Sequence, residues 1–151
     1  MSDLEQSLNR PPTLLVGRCF VKRDDGKLLI VRRALDDNHN AGKWEVPGGK
    51  VERGQGLADA QKREIWEETG LRVRVIRDFV CAYSYPIEGG RRYQAKFGIA
   101  QVVEDGKEVR LSHEHADHKW VSFEQMLDYD LADEVRSTAR IAKRFLVRAR
   151  L

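Results

Sequence analysis

Apolar residues recur along this chain in two periods, and the change from one to the other marks out its elements. Residues 13–22, TLLVGRCFVK, form an apolar, β-prone run, and RDDGK at 23–27 supplies a turn. LLIVRR at 28–33 then returns as the hairpin partner. After a polar loop over 34–43, WEV at 44–46 begins a short strand that is predicted to stop at Pro47-Gly48-Gly49, since proline cannot donate to a ladder and glycine frees the backbone. The period then lengthens. LADAQKREIWEET at 57–69 holds strong helix formers with no internal glycine or proline, and Gly70 is placed as its C′ residue. A partly alternating run over 71–86, a Gly89-Gly90 turn and a run over 92–103 read as a second hairpin. A short strand at 118–123, FEQMLDY, and a helix from about Ala132 close the chain. Strands, a helix, more strands and then helices predict a mixed sheet with helices packed on its faces, an α/β chain of α+β-like order. Pro11-Pro12 separates a polar tail, 1–12, from 13–151, which reads as one domain.

The helical period also brings charge together. Glu64, Glu67 and Glu68 fall within five positions, where like charges cost a helix about 0.2–0.5 kcal/mol per pair. With Glu64 at zero on a wheel, Glu67 lies at about −60° and Glu68 at about +40°. Leu57, Ala60 and Gln61 share that sector, so the carboxylates border the packing face instead of opposing it. A divalent cation makes such crowding tolerable, and hard Mg²⁺ or Mn²⁺ prefers carboxylate oxygens. Arg63, at i−4 from Glu67, can pair with it and hold its rotamer. The helix by itself is equally a surface helix with clustered glutamates. The preceding Gly48-Gly49 turn favours the site, because it offers backbone carbonyls to metal and amides to phosphate.

Composition narrows the class. Of 151 residues, 41% are hydrophobic and 34% charged, which suits a folded chain and not a disordered one. The first dozen residues lack an apolar leader core, and no apolar run is long enough to span a membrane. Cys19 and Cys81 lack a partnered spacing and read as buried reduced thiols in a cytoplasmic protein. Net charge is a mild +3. Arg136, Arg140, Lys143, Arg144, Arg148 and Arg150 share one side of the last helix, opposite Val135, Ala139, Ala142, Phe145, Leu146 and Ala149. A packed helix with a solvated basic face explains this better than a nucleic-acid surface, since no aromatics interleave with the basic residues.

Gly49 to Leu71 resembles the signature box of the Nudix hydrolases, G-x5-E-x7-R-E-U-x-E-E-x-G-U, where U is a bulky aliphatic residue. Gly49, Arg63, Glu64, Ile65, Glu67, Glu68, Gly70 and Leu71 match, eight of nine defined positions. GKWEVPGG before the box and HEHADHKWV after it are also similar to the family. The resemblance implies an α/β/α sandwich with a mixed β-sheet. It also implies Mg²⁺-dependent hydrolysis (with Mn²⁺ as the other candidate ion) of a nucleoside diphosphate linked to another group. The substrate would be a nucleoside triphosphate, ADP-ribose or another nucleotide sugar, or a dinucleoside polyphosphate. Glu67 and Glu68 would be metal ligands, Glu64 a ligand or the group that orients water, and Gly48 or Gly49 a carbonyl donor. Glu64 is the first candidate for general base and Glu114 the second. Gln55 departs from the box, which has glutamate there, and removes one negative charge while keeping an acceptor. That loss and the basic last helix motivate an alternative, a catalytically weak nucleotide- or RNA-binding module on the same fold.

The remaining candidates carry two readings each. His113, His115 and His118 surround Glu114, but without cysteines or a second ligand cluster they read as solvated loop histidines and not as a zinc site. Arg33, Glu45 and Tyr83 are the substrate-facing candidates, against edge-strand charge for Arg32 and Arg33, an exposed strand acid for Glu45, and core for Tyr83, Tyr85 and Phe97. Trp44 reads as core more than as a base-stacking platform. A small-molecule nucleotide is the expected partner, no membrane is, and a homodimer stays open.

Overall fold

A strand whose consecutive residues are buried needs cover on both faces, because successive side chains point to opposite sides. The protein is described by a computed structural model over residues 13–37, 40–104 and 106–148, and its first strand, β1 (Thr13–Lys22), is of this kind. Val16 and Phe20 point to one side, Cys19 and Val21 to the other. In β2 (Leu28–Arg33), Leu28 and Ile30 oppose Leu29 and Val31 in the same way. There follow β3 (Trp44–Glu45), β4 (Gly48–Lys50), helix α1 (Leu57–Thr69), β5 (Val73–Pro86), β6 (Arg92–Val102), β7 (His115–Val121), the short helix α2 (Phe123–Met126) and α3 (Asp133–Arg148).

Among the described residues the seven strands form one mixed sheet. β1 runs parallel to β6 along its full length, from Thr13 opposite Arg92 to Lys22 opposite Gln101. The β1–β2 and β5–β6 hairpins are antiparallel, as the turns predict. Met126, Val135, Ala139, Ala142 and Leu146 of α2 and α3 cover the Phe20 face. Ile65 of α1 covers the Cys19 face. The architecture is the expected α/β/α sandwich. Gln61 locks α1 onto the sheet by donating to the carbonyls of Arg18 at 3.2 Å and Asp78 at 2.9 Å. Arg136, Arg140, Lys143 and Arg144 are exposed opposite the apolar stripe of α3. Ala149, Arg150, the side chain of Arg148 and the tail 1–12 lie outside the described residues. Cys19 and Cys81 are buried and unpaired, and burial pushes both thiols up, Cys81 to about 11.

Two boundaries differ from expectation. The chain does not stop at the glycines: Gly48–Lys50 is β4, antiparallel to β1, with Gly48 opposite Arg18 and Gly49 opposite Gly17. The missing side chains permit this approach, because a methyl group on Gly48 would collide with the Gly17 carbonyl oxygen. β7 begins at His115, before the expected 118, because its pairing with β2 continues past a register shift to Arg33. It ends before Phe123, which opens α2 behind the Ser122 cap; the Ser122 hydroxyl accepts the Gln125 N–H at 3.1 Å.

Candidate active site

The glutamates of α1 descend in depth. Glu67 has a side chain 53% exposed, Glu64 one 16% exposed, and Glu68 is buried with 4% of its surface accessible. Gly70 ends the helix in the left-handed region at φ 72° and donates its N–H to the Trp66 carbonyl at 2.8 Å, as its C′ role requires. Across from the helix, the Gly48 N–H donates to Glu68 Oε2 at 3.2 Å, and Gly49 lies directly over the Glu64 carboxylate. Arg63 binds this acidic row together. It donates to Glu67 at 3.2 and 3.3 Å and to the Lys50 carbonyl at 3.2 Å, and pairs with Glu64 at 3.1 Å.

Burial pushes Glu68 well above the usual carboxylate range; Arg18 pulls it down, and the charges of Glu45 and Glu114 push it further up. Burial also raises Glu64, against the pull of Arg63. The two glycines answer differently to a methyl group. Gly48→Ala meets rigid backbone and is expected to cost about 1–3 kcal/mol, read from the denaturant midpoint. Gly49→Ala meets the mobile end of Glu64, so it is expected to spare the fold and displace that carboxylate, seen as a larger loss of activity than of stability.

The other side of the site comes from the segment before β7. The N–H groups of Arg110 and Ser112 donate to the carbonyls of Thr69 at 2.8 Å and Glu68 at 3.2 Å, the otherwise unpaired carbonyls at the end of α1. The Ala34 N–H donates to the Glu114 carbonyl at 3.0 Å. These bonds bring Glu114 and His115 to Glu68, and one ligand atom from each of the three lies within 4.8 Å of the others. Two carboxylates and an imidazole suit a divalent cation. His113 is exposed, as read from the sequence, but His115 is not a solvated loop histidine. Its side chain is 1% exposed because the strand starts early enough to turn it inward.

Below this group lies a buried ionic hub. Glu45, 1% exposed, accepts from Arg33 at 3.1 Å and from Arg18 at 3.3 Å. Arg18 also donates to the Val46 carbonyl at 3.0 Å and pairs with Glu134 of α3 at 3.5 Å; Arg33 pairs with Asp37 at 2.6 Å. Burial alone would raise Glu45, but Arg18, His115 and Arg33 outweigh it and hold the carboxyl at about 2. Arg33 and Glu45 thus hold each other beneath the site. Tyr83 is half-buried and lines a cleft of about 180 Å³ with Tyr85, Asn40, Asp133 and Glu134. Trp44 is core and sits edge-on to Tyr129 at 5.2 Å, and Phe97 is core as well.

Residues 13–145 match the NUDIX domain family. The chain belongs to the Nudix hydrolases. It is 30% identical over 130 residues to the nucleoside triphosphatase NudI of Escherichia coli K12, a match covering 82% of this chain and 92% of that protein. The MutT protein of Methanosarcina mazei Go1 superimposes with a TM-score of 0.73 at 28% identity, over 90% of this chain and 96% of that one. A Caenorhabditis elegans Ap4A hydrolase shares the fold at TM-score 0.69 and 23% identity, over 89% of this chain and 98% of that one.

In this Nudix box the departure at Gln55 has a local counterpart. The Gln55 amide oxygen accepts from Arg63 at 3.4 Å and from the Glu52 N–H at 3.2 Å, and Glu52 itself pairs with Arg63 at 3.7 Å. An acid outside the motif register therefore stands near the arginine where the motif acid is missing. The turn that makes this contact, with the Gln55 N–H donating to the Glu52 carbonyl at 2.9 Å, is local, but a register-based reading sets Glu52 aside because it lies off the motif. Sequence reasoning also missed Arg18 and Glu134. A lone arginine in an apolar strand was the available signal.

Proposed function

We propose that this Nudix hydrolase cleaves a phosphoanhydride bond of a nucleoside triphosphate by attack of water at phosphorus, with Mg²⁺ or Mn²⁺ as the ion. The observation that carries the reading is the meeting of Glu68, Glu114 and His115, whose ligand atoms lie within 4.8 Å of one another around a carboxylate that burial raises and a cation would hold as an anion. Glu64, Glu67, Glu68 and the Gly48 carbonyl are the proposed metal-holding groups of the box. When bound, the cation neutralises charge on the phosphate oxygens.

Glu64 acts as the base that takes the proton of the attacking water, with Glu114 as the second candidate. Burial raises the Glu64 carboxyl, against the pull of Arg63. Arg63 fixes Glu64 and Glu67 in place. On the substrate side, Tyr83 offers an aromatic wall to the base at the cleft it lines, while Arg33 and Glu45 brace the floor beneath the phosphates. The triphosphate is preferred among the substrate classes because NudI, the relative of that name, aligns over most of both chains. A cytosolic location fits two buried, unpaired thiols, in a chain with no helix long and apolar enough to cross a membrane among the described residues.

The test is a panel of nucleoside triphosphates, ADP-ribose, a nucleotide sugar and a dinucleoside polyphosphate with Mg²⁺, run on the parent and on Glu67→Gln. Turnover of a triphosphate that is lost in the variant is the expected result, and ¹⁸O from labelled water identifies the phosphorus attacked. Binding without turnover of any compound would instead support the nucleotide-binding module that Gln55 and the basic face of α3 suggest.

A further inference from the structure

We propose that His115 supplies an imidazole nitrogen to the cation held beside Glu68 and Glu114, and so tunes the site toward a later first-row transition ion over Mg²⁺. This rests on the cation site of the preceding reading and adds to it a ligand outside the Nudix box.

Neutral imidazole carries one N–H and one lone pair, and buried polar groups of this kind are nearly always hydrogen-bonded. His115 is not: its side chain is 1% exposed, and neither Nδ1 nor Nε2 has a hydrogen-bond partner. Two neighbouring groups lie near enough to satisfy them. Nε2 lies 3.8 Å from Glu45 Oε2, beyond hydrogen-bond length but within reach of a small ring movement. Glu45 is itself fixed by Arg18 and Arg33, so the carboxylate is a rigid acceptor. With one nitrogen giving its N–H to Glu45, the other presents a lone pair, and a ligand atom of His115 lies within 4.8 Å of oxygens on Glu68 and Glu114. Donors about 2.0–2.2 Å from one ion sit within about 4.4 Å of each other, so only a slight closure is needed. A carboxylate behind a ligating histidine is the usual means of fixing its tautomer and orientation.

β2 builds this arrangement by pairing with β7 along one edge and β3 along the other, which places His115 opposite Arg33 and Glu45 opposite Val31 across the same strand. Two carboxylates alone suit Mg²⁺ or Mn²⁺; adding an imidazole favours ions further along the row, such as Co²⁺.

Pulsed electron paramagnetic resonance of Mn²⁺ bound to the ¹⁵N-histidine-labelled protein tests histidine ligation directly, and two variants assign it. Coupling to a histidine nitrogen is expected in the parent, lost in His115→Gln and kept in His113→Gln. Calorimetry should show the Kd for Co²⁺ rising about tenfold or more in His115→Gln while that for Mg²⁺ moves less than about threefold. Bound Mn²⁺ with no nitrogen coupling, or coupling that survives His115→Gln, overturns the role of His115 and leaves the carboxylate site standing. No Mn²⁺ bound by the parent overturns both. Equal loss of Co²⁺ and Mg²⁺ affinity would reduce His115 to a packing residue.

Discussion

Glu68→Gln is expected to raise the melting temperature of the metal-free protein and, in the same molecule, to abolish most of its turnover. The amide keeps the shape of the acid and can still accept the Gly48 N–H, but it removes a charge that burial makes expensive. The gain is on the order of 1 kcal/mol, or about 2–4 °C for a domain of this size. A carboxyl whose folded pKa lies above its unfolded one stabilises the fold below the unfolded value, and that contribution is lost as pH rises through the folded pKa. Metal-free parent protein should therefore melt higher at pH 5 than at pH 8, and Glu68→Gln should flatten that slope. Glu45 does not confound the comparison, because its depressed pKa places its own loss of stability below pH 5. With Mn²⁺ present at about 100 times its Kd, the parent should gain about 2.7 kcal/mol that the variant does not. Turnover should fall by on the order of 10²–10³, the usual effect of removing one group that stabilises transition-state charge. A variant that melts lower without metal, or keeps its metal-induced gain, would contradict this account of Glu68.

Glu45→Ala is expected to be the most destabilising single change, about 3–5 kcal/mol, because it removes one partner from a buried charge cluster. Among the described residues, Arg18 would then keep its ion pair with Glu134 and its bond to the Val46 carbonyl, and Arg33 its ion pair with Asp37. The opposing charges of Glu45 and Glu134 are what hold Arg18 above its ordinary pKa despite burial, so losing Glu45 leaves a guanidinium poorly compensated. Glu45→Gln, which retains an acceptor and the side-chain volume, should cost less than the alanine variant. The urea midpoint measures both. Equal costs would show that the lost charge alone sets the value of this position, and a glutamine variant as stable as the parent would show that packing does.

The elements and the acidic row were legible in the sequence because both are local. Helical period, strong helix formers and Gly70 define 57–69 without reference to the rest of the chain, and the wheel places the three carboxylates on the border of the packing face. The parallel pairing of β1 with β6 was not legible, since it joins residues far apart in sequence and leaves no local trace. The hub of Arg18, Glu45 and Glu134 was hidden for the same reason: its members come from β1, β3 and α3. Gly48 and Gly49 read as a stop because glycine usually weakens a strand, and the fold uses them where a strand must approach a backbone and a carboxylate closely. His115 fell on the wrong side of a boundary that the register with β2 decides.

The bonds from Arg110 and Ser112 to the last carbonyls of α1 have a consequence for how this chain can diversify. They fix Glu114 relative to Glu68 from the helix end, without using the path by which the chain leaves β6. Around Gly106 a side chain would meet open space. Insertions there should be tolerated and leave the catalytic spacing unchanged. Selection can thus lengthen and reshape that turn to meet new substrates while the chemistry stays in register.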